Sequence, residues 1–393
     1  MKVLYLSHTA AVSGGERSLL DLLGALQSHV TPVVASPEGE LARLVRAAAV
    51  DHELVTGTAG SLSLHWRRTP RAVAEMLAAA RQVRRLVKRH RPDLVHANSI
   101  RAGIIAGLAR AGVATPLVTH VRDVLPDRPL SRASLRLVGA RSDALVANSQ
   151  FTSKRNGLPQ RCGHVVVVHS PVDLSKFDPG RVDRAASRAA LNIIGSGLTL
   201  GVVGQITPWK GQLEAIETLG VLTARGVSAR LLVAGSTTFV EEATRYDNRA
   251  YEARLEQRIR ELGLGDRVQM LGQREDVPEI IAALDVLLVP SWEEPMGRTV
   301  LEAMAMQRPV VTTSRGGPAE LMVDGEHGRL LESHRPEEWA DALQELAEKP
   351  RLLEAMGRGS REHVERHYGL TASTQRLMDV YSSVIYDGPA PDR

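Results

Sequence analysis

Short apolar runs recur along the chain, separated by stretches in which apolar positions return every three or four residues. In the first half the runs are Val3–Leu6, Val30–Ala35, Leu94–Ala97, Leu117–Thr119, Ala144–Ala147 and Val165–Val168. In the second half they are Leu198–Val203, Leu231–Ala234, Val268–Leu271, Val286–Val289 and Val310–Thr313. They are continuous rather than alternating, as strands are when both faces of a parallel sheet are covered. Helical periodicity fills the gaps, over Ser18–Gln27 and Ala72–Arg89, then over Leu213–Arg225, Tyr251–Leu262, Val300–Met306 and Pro336–Ala347. Strand–helix alternation run twice predicts two doubly wound α/β domains. The junction is expected at Ser170-Pro171-Val172-Asp173 through Arg181, where Pro171, Pro179 and Gly180 interrupt both patterns. Residues 1–173 and 174–369 are the expected domains. A last helix is expected over Leu370–Tyr386, with the first domain as a surface for it to pack against. The proline-bearing tail 387–393 is expected to be disordered.

A chain of 393 residues is long enough for two such cores. Aromatic residues make up only 3%, so Leu, Val, Ile and Ala must fill them. No apolar run approaches the ~18 residues of a spanning helix. Met1–Leu6 reads as a strand and is too short for a signal peptide. Cys162 is the one cysteine, which excludes an intrachain disulfide and argues against a cysteine metal site. A cytoplasmic location is the default that follows.

The net charge of +4 is unevenly spread. Residues 1–175 hold 23 Lys and Arg against 12 Asp and Glu, a net of +11, and the remainder carries −7. Much of the excess lies between Arg67 and Arg91, including Arg81, Arg84, Arg85, Lys88 and Arg89. The plainer reading is one solvated helix face. The sharper reading is a surface for anionic lipid or an acidic partner; the former would make the protein peripheral at the inner membrane face. No aromatic residues interleave with the basic ones, so nucleic acid is not expected as a partner.

In open α/β sheets ligands bind beyond the carboxyl ends of the strands, and the unusual residues cluster there. Ser13-Gly14-Gly15-Glu16 follows the first strand. Its glycines permit close backbone approach and the helix start behind them favours an anion, with a loop needing two left-handed residues as the equal alternative. Gly204-Gln205-Ile206-Thr207-Pro208-Trp209-Lys210-Gly211 places a lysine at a helix start, suited to a phosphate. An exposed lysine in an ordinary turn is the alternative. Lysine is scarce, only six among 49 Lys and Arg, which favours the phosphate. Neither loop has the spacing of a dinucleotide fingerprint or of a Walker loop.

The strongest stretch runs Pro290-Ser291-Trp292-Glu293-Glu294-Pro295-Met296-Gly297-Arg298-Thr299 and on through Val300–Ala305. A strand ends, a loop carries Glu294, and a helix begins whose free N–H groups at Gly297, Arg298 and Thr299 could meet a diphosphate. Glu302 lies one turn inside that helix in an otherwise apolar run, where a carboxylate needs partners. The alternative is a capping Glu294 and a surface Glu302. His120, in Thr119-His120-Val121-Arg122-Asp123, is expected at a strand end on the ligand side, with a structural core histidine as the equal alternative.

These residues together resemble the family-4 group of retaining glycosyltransferases. The resemblance spans nearly the whole chain and is most specific from Gly201 to Leu331. It rests on Glu294-x7-Glu302, then Ala303-Met304-Ala305 and Arg308-Pro309-Val310-Val311, with Gly316-Gly317, Glu320, Gly325 and Gly328 beyond. Gly14-Gly15, Asn148-Ser149, Val172-Asp173, Lys210-Gly211 and Leu264-Gly265-Asp266-Arg267-Val268 leading into Leu271-Gly272 support it. The resemblance implies the GT-B fold, two facing Rossmann-like domains with an interdomain cleft. It implies a nucleotide-diphosphate sugar as donor and a hydroxyl acceptor, be it a small molecule, a glycan or a lipid-linked sugar. Glu294 would bind hydroxyls of the donor sugar, Glu302 the ribose, and Lys210 the phosphates, helped by backbone at Gly15 and near Thr299. His120 would lie against the transferred sugar, and backbone around Gly272 and Arg274 would meet the base.

Two departures stand out. The family usually has arginine where Gln205 stands, and Asn-Gly where this chain has Ser170-Pro171. With a neutral amide at 205, Lys210 would be the principal phosphate cation, with Arg298 or Arg122 as a lesser helper. No Asp-x-Asp triplet occurs in the sequence, so neither a metal nor any other cofactor is expected. Rival readings are a nucleotide-sugar epimerase or a sugar phosphorylase on the same fold, a sugar-nucleotide-binding module without turnover, and, third, a nicotinamide dehydrogenase.

Overall fold

The computed structural model describes residues 1–58, 69–112, 114–158, 165–237 and 246–387. Arg67, Cys162 and the tail beyond residue 387, each singled out above, lie outside the described residues. The chain divides into two compact units, Met1–Pro171 with Leu370–Arg393, and Val172–Gly369.

Seven strands make the sheet of the first unit: β1 (Lys2–Leu6), β2 (Thr31–Ser36), β3 (Asp51–Leu54), β4 (Leu94–Ala97), β5 (Leu117–Val121), β6 (Ala144–Ala147) and β7 (Val165–Val167). Their spatial order is β3-β2-β1-β4-β5-β6-β7, parallel throughout. Six strands make the second sheet: β8 (Leu198–Val203), β9 (Ala229–Ala234), β10 (Val268–Gly272), β11 (Val286–Val289), β12 (Val310–Thr313) and β13 (Gly328–Leu331). Their order is β10-β9-β8-β11-β12-β13, also parallel. Each unit thus winds outward from its first strand in one direction and returns to wind in the other. The switch points, where a ligand crevice opens in this architecture, lie between β1 and β4 and between β8 and β11.

The continuous apolar strands follow from this layering. Side chains alternate between faces along a strand, and helices cover both faces. On β1, Val3 and Tyr5 enter one core while Leu4 and Leu6 enter another. On β11, Val286 and Leu288 enter one core of the second unit and Leu287 and Val289 the other. All eight are buried. Two edge strands escaped the apolar pattern. β3 reads Asp-His-Glu-Leu and pairs only with β2, so its side chains need not be apolar. β13 reads Gly-Arg-Leu-Leu and pairs only with β12.

The last helix, Leu370–Ser382, runs into a π turn over Ser383–Asp387. It shares the core of the first unit through Leu377, Val380 and Tyr381, and the Ser373 hydroxyl donates to the His169 carbonyl at 3.0 Å. The Val172 N–H donates to the Tyr368 carbonyl at 3.0 Å, so the two crossings of the chain between units lie side by side. Among the described residues no helix is long and apolar enough to cross a membrane.

Candidate functional site

In the second unit the two switch-point loops come together. After β8 the chain passes a 3-10 turn, Pro208–Lys210, and Gly211 both ends that turn and starts the helix Gln212–Ala224. Gly211 holds φ 76°, and a Cβ there would overlap the carbonyl oxygen of Pro290 at the end of β11. Only glycine permits that contact. The closeness places the Lys210 ammonium 2.7 Å from Glu294 Oε2. The Glu294 side chain is 7% exposed and that of Lys210 is 22% exposed. Ser291 Oγ donates to the same carboxylate oxygen at 2.9 Å, and the ammonium lies 4.3 Å from the Trp209 ring centroid. The backbone of Glu294 is fixed as well, its N–H donating to Arg315 and its carbonyl accepting from Gly317.

Beyond Glu294, Gly297 at φ 91° caps the helix Arg298–Ala305, which presents its start to this loop. Glu302 is buried in the second turn of that helix, and Arg298 Nη2 lies 3.3 Å from its Oε1. The partner that a carboxylate in an apolar run requires is therefore Arg298. Thr299 follows on the same first turn. The Gln205 carbonyl accepts from the Gln212 side chain at 2.8 Å, tying the loop to the helix behind it. At the end of β10, Gly272 has φ 66° and its carbonyl accepts from Gly235 N–H at 2.8 Å. Arg274 is engaged with Asp276, Nε to Oδ1 at 2.8 Å.

In the first unit the helix after β1 begins at Gly14, with Ser13 as its cap. Neither Gly14 nor Gly15 has positive φ, so the reading of a loop with two left-handed residues is corrected: both glycines are helical. A Cβ on Gly15 would come within 3.1 Å of Arg122 Cδ, so glycine here makes room for the arginine. Glu16 folds back on the cap, accepting from Ser13 N–H at 3.2 Å. Arg122 is buried and donates to Ser18 Oγ, Ser170 Oγ and Asn98 Oδ1 at 3.1, 3.1 and 2.9 Å.

His120 stands inside β5 rather than beyond it, because the strand runs on to Val121. It is 1% exposed, and among the described residues neither ring nitrogen has a hydrogen-bond partner. Burial, then the charges of Arg122 and His96, push its pKa well below the ordinary 6.5, so it is neutral. Its ring lies 5.6 Å from that of His96. His96 bonds Tyr381 of the last helix, Nδ1 to hydroxyl at 2.8 Å. Burial and then Arg122 push His96 down to about 3.

Of the helper cations expected for Lys210, Arg298 pairs with Glu302, and Arg122 sits in the polar interior of the first unit. Sequence pattern also missed Glu214, in the first turn of the helix after Lys210, which accepts from the Trp292 indole N–H at 2.7 Å and lies 2.8 Å from His334 Nδ1. The available signal was an acidic residue one turn past a lysine at a helix start. Among the described residues no group of three or more His, Cys, Asp or Glu side chains could hold a metal ion.

Two parallel sheets sharing the 3-2-1-4-5-6 order, the first with a seventh strand, define a two-domain Rossmann-like protein, and comparison with known proteins gives that class its family. The second unit matches the model of glycosyl transferases group 1 over residues 183–363. The first matches the model of glycosyltransferase family 4 over residues 12–176. A D-inositol 3-phosphate glycosyltransferase from Saccharomonospora viridis is 31% identical over 318 residues, 75% of this chain and 70% of that one. Another, from Mycobacteroides abscessus, is 32% identical over 325 residues, 77% of this chain and 68% of that one. The solved structure of Anabaena Alr3699/HepE in complex with UDP-glucose has a TM-score of 0.83 at 23% identity, covering 98% of this chain and 100% of that one. The chain belongs to the family-4 glycosyltransferases and has their GT-B fold. Its activity is glycosyl transfer.

Proposed function

We propose that this glycosyltransferase moves a sugar from a nucleotide-diphosphate donor to a hydroxyl acceptor, with retention of anomeric configuration and without a metal ion. The observation that carries the proposal is the Lys210–Glu294 pair beside the start of the helix Arg298–Ala305. A cation and a helix N-terminus can hold a diphosphate. A carboxylate fixed by Ser291 and by its own backbone can hold sugar hydroxyls.

In this reading Lys210 takes the phosphates, with backbone near Thr299 and Gly15 assisting and Gln205 contributing a neutral contact. Glu294 takes the donor sugar and Glu302 the ribose, while Gly272 and Arg274 lie on the base side. His120, neutral and with no partner for either nitrogen among the described residues, is assigned to the transferred sugar. The bond from the anomeric carbon to the diphosphate oxygen breaks as the acceptor oxygen bonds to that carbon on the same face. The acceptor proton passes to a diphosphate oxygen. The protein stabilises the charge gathering on the leaving group and holds the reactants in place.

Because structural neighbours hold UDP and UDP-glucose, a UDP-sugar is the first donor to test. Because the curated relatives act on an inositol phosphate, a phosphorylated polyol is the first acceptor. We also assign the solvent side of the helix Thr69–His90, where Arg81, Arg85, Lys88 and Arg89 are exposed, to a peripheral contact with anionic lipid. The test is thermal-shift screening with UDP-, GDP-, ADP- and TDP-sugars, then transfer assays with the stabilising donor. Release of nucleoside diphosphate only when an acceptor is present supports the proposal. Conversion of the sugar without acceptor makes the protein an epimerase, and tight binding without turnover makes it a binding module.

A further inference from the structure

Trp292 stands where four loops of the second unit meet. Its indole N–H donates to Glu214 Oε1 at 2.7 Å. Its ring packs 5.2 Å from that of His334, which follows β13 and whose Nδ1 lies 2.8 Å from the same Glu214 oxygen. His334 holds φ 64°, a left-handed conformation that a residue with a side chain adopts at some cost. Tyr246, ahead of the helix Asn248–Glu261, meets the indole edge-on at 6.2 Å. The backbone N–H of Trp292 donates to the Trp209 carbonyl at 2.9 Å. Trp209 immediately precedes Lys210 and its ring lies beneath the ammonium; Glu294 follows Trp292 by two residues. Trp292 thus ties the Glu294 loop to the Lys210 turn through its backbone and to the helix that follows that turn through its indole.

We propose that Glu214 is a positioning residue: through Trp292 it sets the Lys210 turn against the Glu294 loop, so that cation and carboxylate reach a donor in fixed register. The Glu214 side chain is 13% exposed, and it sits in the first turn of a helix, where a carboxylate is favoured. Among the described residues its carboxylate accepts from the indole and lies beside the imidazole, both from loops at the ligand end of the sheet, so its role lies in those loops and not in the core. The inference rests on the assignment of Lys210 and Glu294 to the donor.

The test separates the two. Lysine acetylation with a water-soluble N-hydroxysuccinimide ester, followed residue by residue by mass spectrometry, needs no substrate. Glu214→Ala and Trp292→Phe release the anchor, and labelling of Lys210 rises by about threefold or more, the factor that loss of a partly exposed ion pair supports. Labelling of the other five lysines stays level. Glu214→Gln keeps an acceptor oxygen for the indole and labels as wild type does. Trp292→Phe keeps an aromatic ring but loses the N–H with the rest of the indole's five-membered ring, so it decides the matter if Glu214→Ala does not fold. Unchanged Lys210 labelling in Trp292→Phe overturns the proposal. Raised labelling in variants whose UDP binding and transfer from UDP-glucose match wild type upholds the anchor and overturns the donor assignment of Lys210.

Discussion

The Lys210–Glu294 pair makes a prediction in which stability and catalysis can be told apart. Lys210→Ala leaves the Glu294 carboxylate buried with Ser291 as its remaining side-chain partner. Removing one member of a buried pair costs about 3–5 kcal/mol, because the other charge is left uncompensated. Water reaches Lys210, at 22% exposure, so the lower end applies here. For a unit of roughly 200 residues, about 3 kcal/mol lowers Tm by about 6–12 °C. Glu294→Gln alone costs less, since a partly exposed ammonium can turn to solvent. The double variant, with no stranded charge, regains more than half of what Lys210→Ala loses. Thermal and urea unfolding of the wild type, both single variants and the double variant measure this cycle. Simple addition of the two single losses would refute the pairing. In kinetics the outcome is the reverse: no stability regained restores the phosphate cation, and kcat/KM of both Lys210 variants falls by about 100-fold. A Lys210→Ala enzyme within about threefold of wild type would move the phosphate site elsewhere.

The buried imidazoles make the first unit acid-labile. His8 and His96 are held down to about 3, chiefly by burial, against 6.5 in the open chain, and His120 is held well below 6.5. Below 6.5 the unfolded chain binds protons that the folded unit refuses, so stability is whole above that pH. It falls toward pH 3 by up to ~1.4 kcal/mol per pH unit for each histidine. Equal urea midpoints for the first unit at pH 7.5 and 5.5 would contradict this. Gln205→Arg restores the family's usual residue and should keep kcat/KM within about threefold of wild type; a loss beyond tenfold would mean that the loop has no room for a second cation. Enzyme dialysed against EDTA should keep its activity, and a loss reversed by magnesium or manganese would refute metal independence.

The two sheets were legible because a parallel sheet buries both faces and writes itself as continuous apolar runs. β3 was not, since an edge strand with Asp51, His52 and Glu53 carries no such run. Glu294 and Glu302 stood out by position, one in a loop before a helix start and the other in an apolar helix. The pairings around them did not: Lys210 is 84 residues from Glu294, and Glu214 is 78 from Trp292. Chain distance hides such pairs, which only the sheet order brings together. Arg298 adjoins the expected diphosphate in sequence, and one helical turn further on Glu302 pairs with it. His120 was expected at the end of a strand judged to stop at Thr119; two more paired residues draw it into the sheet.

The central claim is transfer with retention at a site built on Lys210 and Glu294. Its most direct test is NMR of the product formed from an α-linked UDP-sugar and an acceptor that turns over, with Glu294→Gln run beside the wild type. The account predicts an α-linked product from the wild type and a rate lowered by about 100-fold in the folded variant. A β-linked product, or a Glu294→Gln enzyme as fast as wild type, would contradict it.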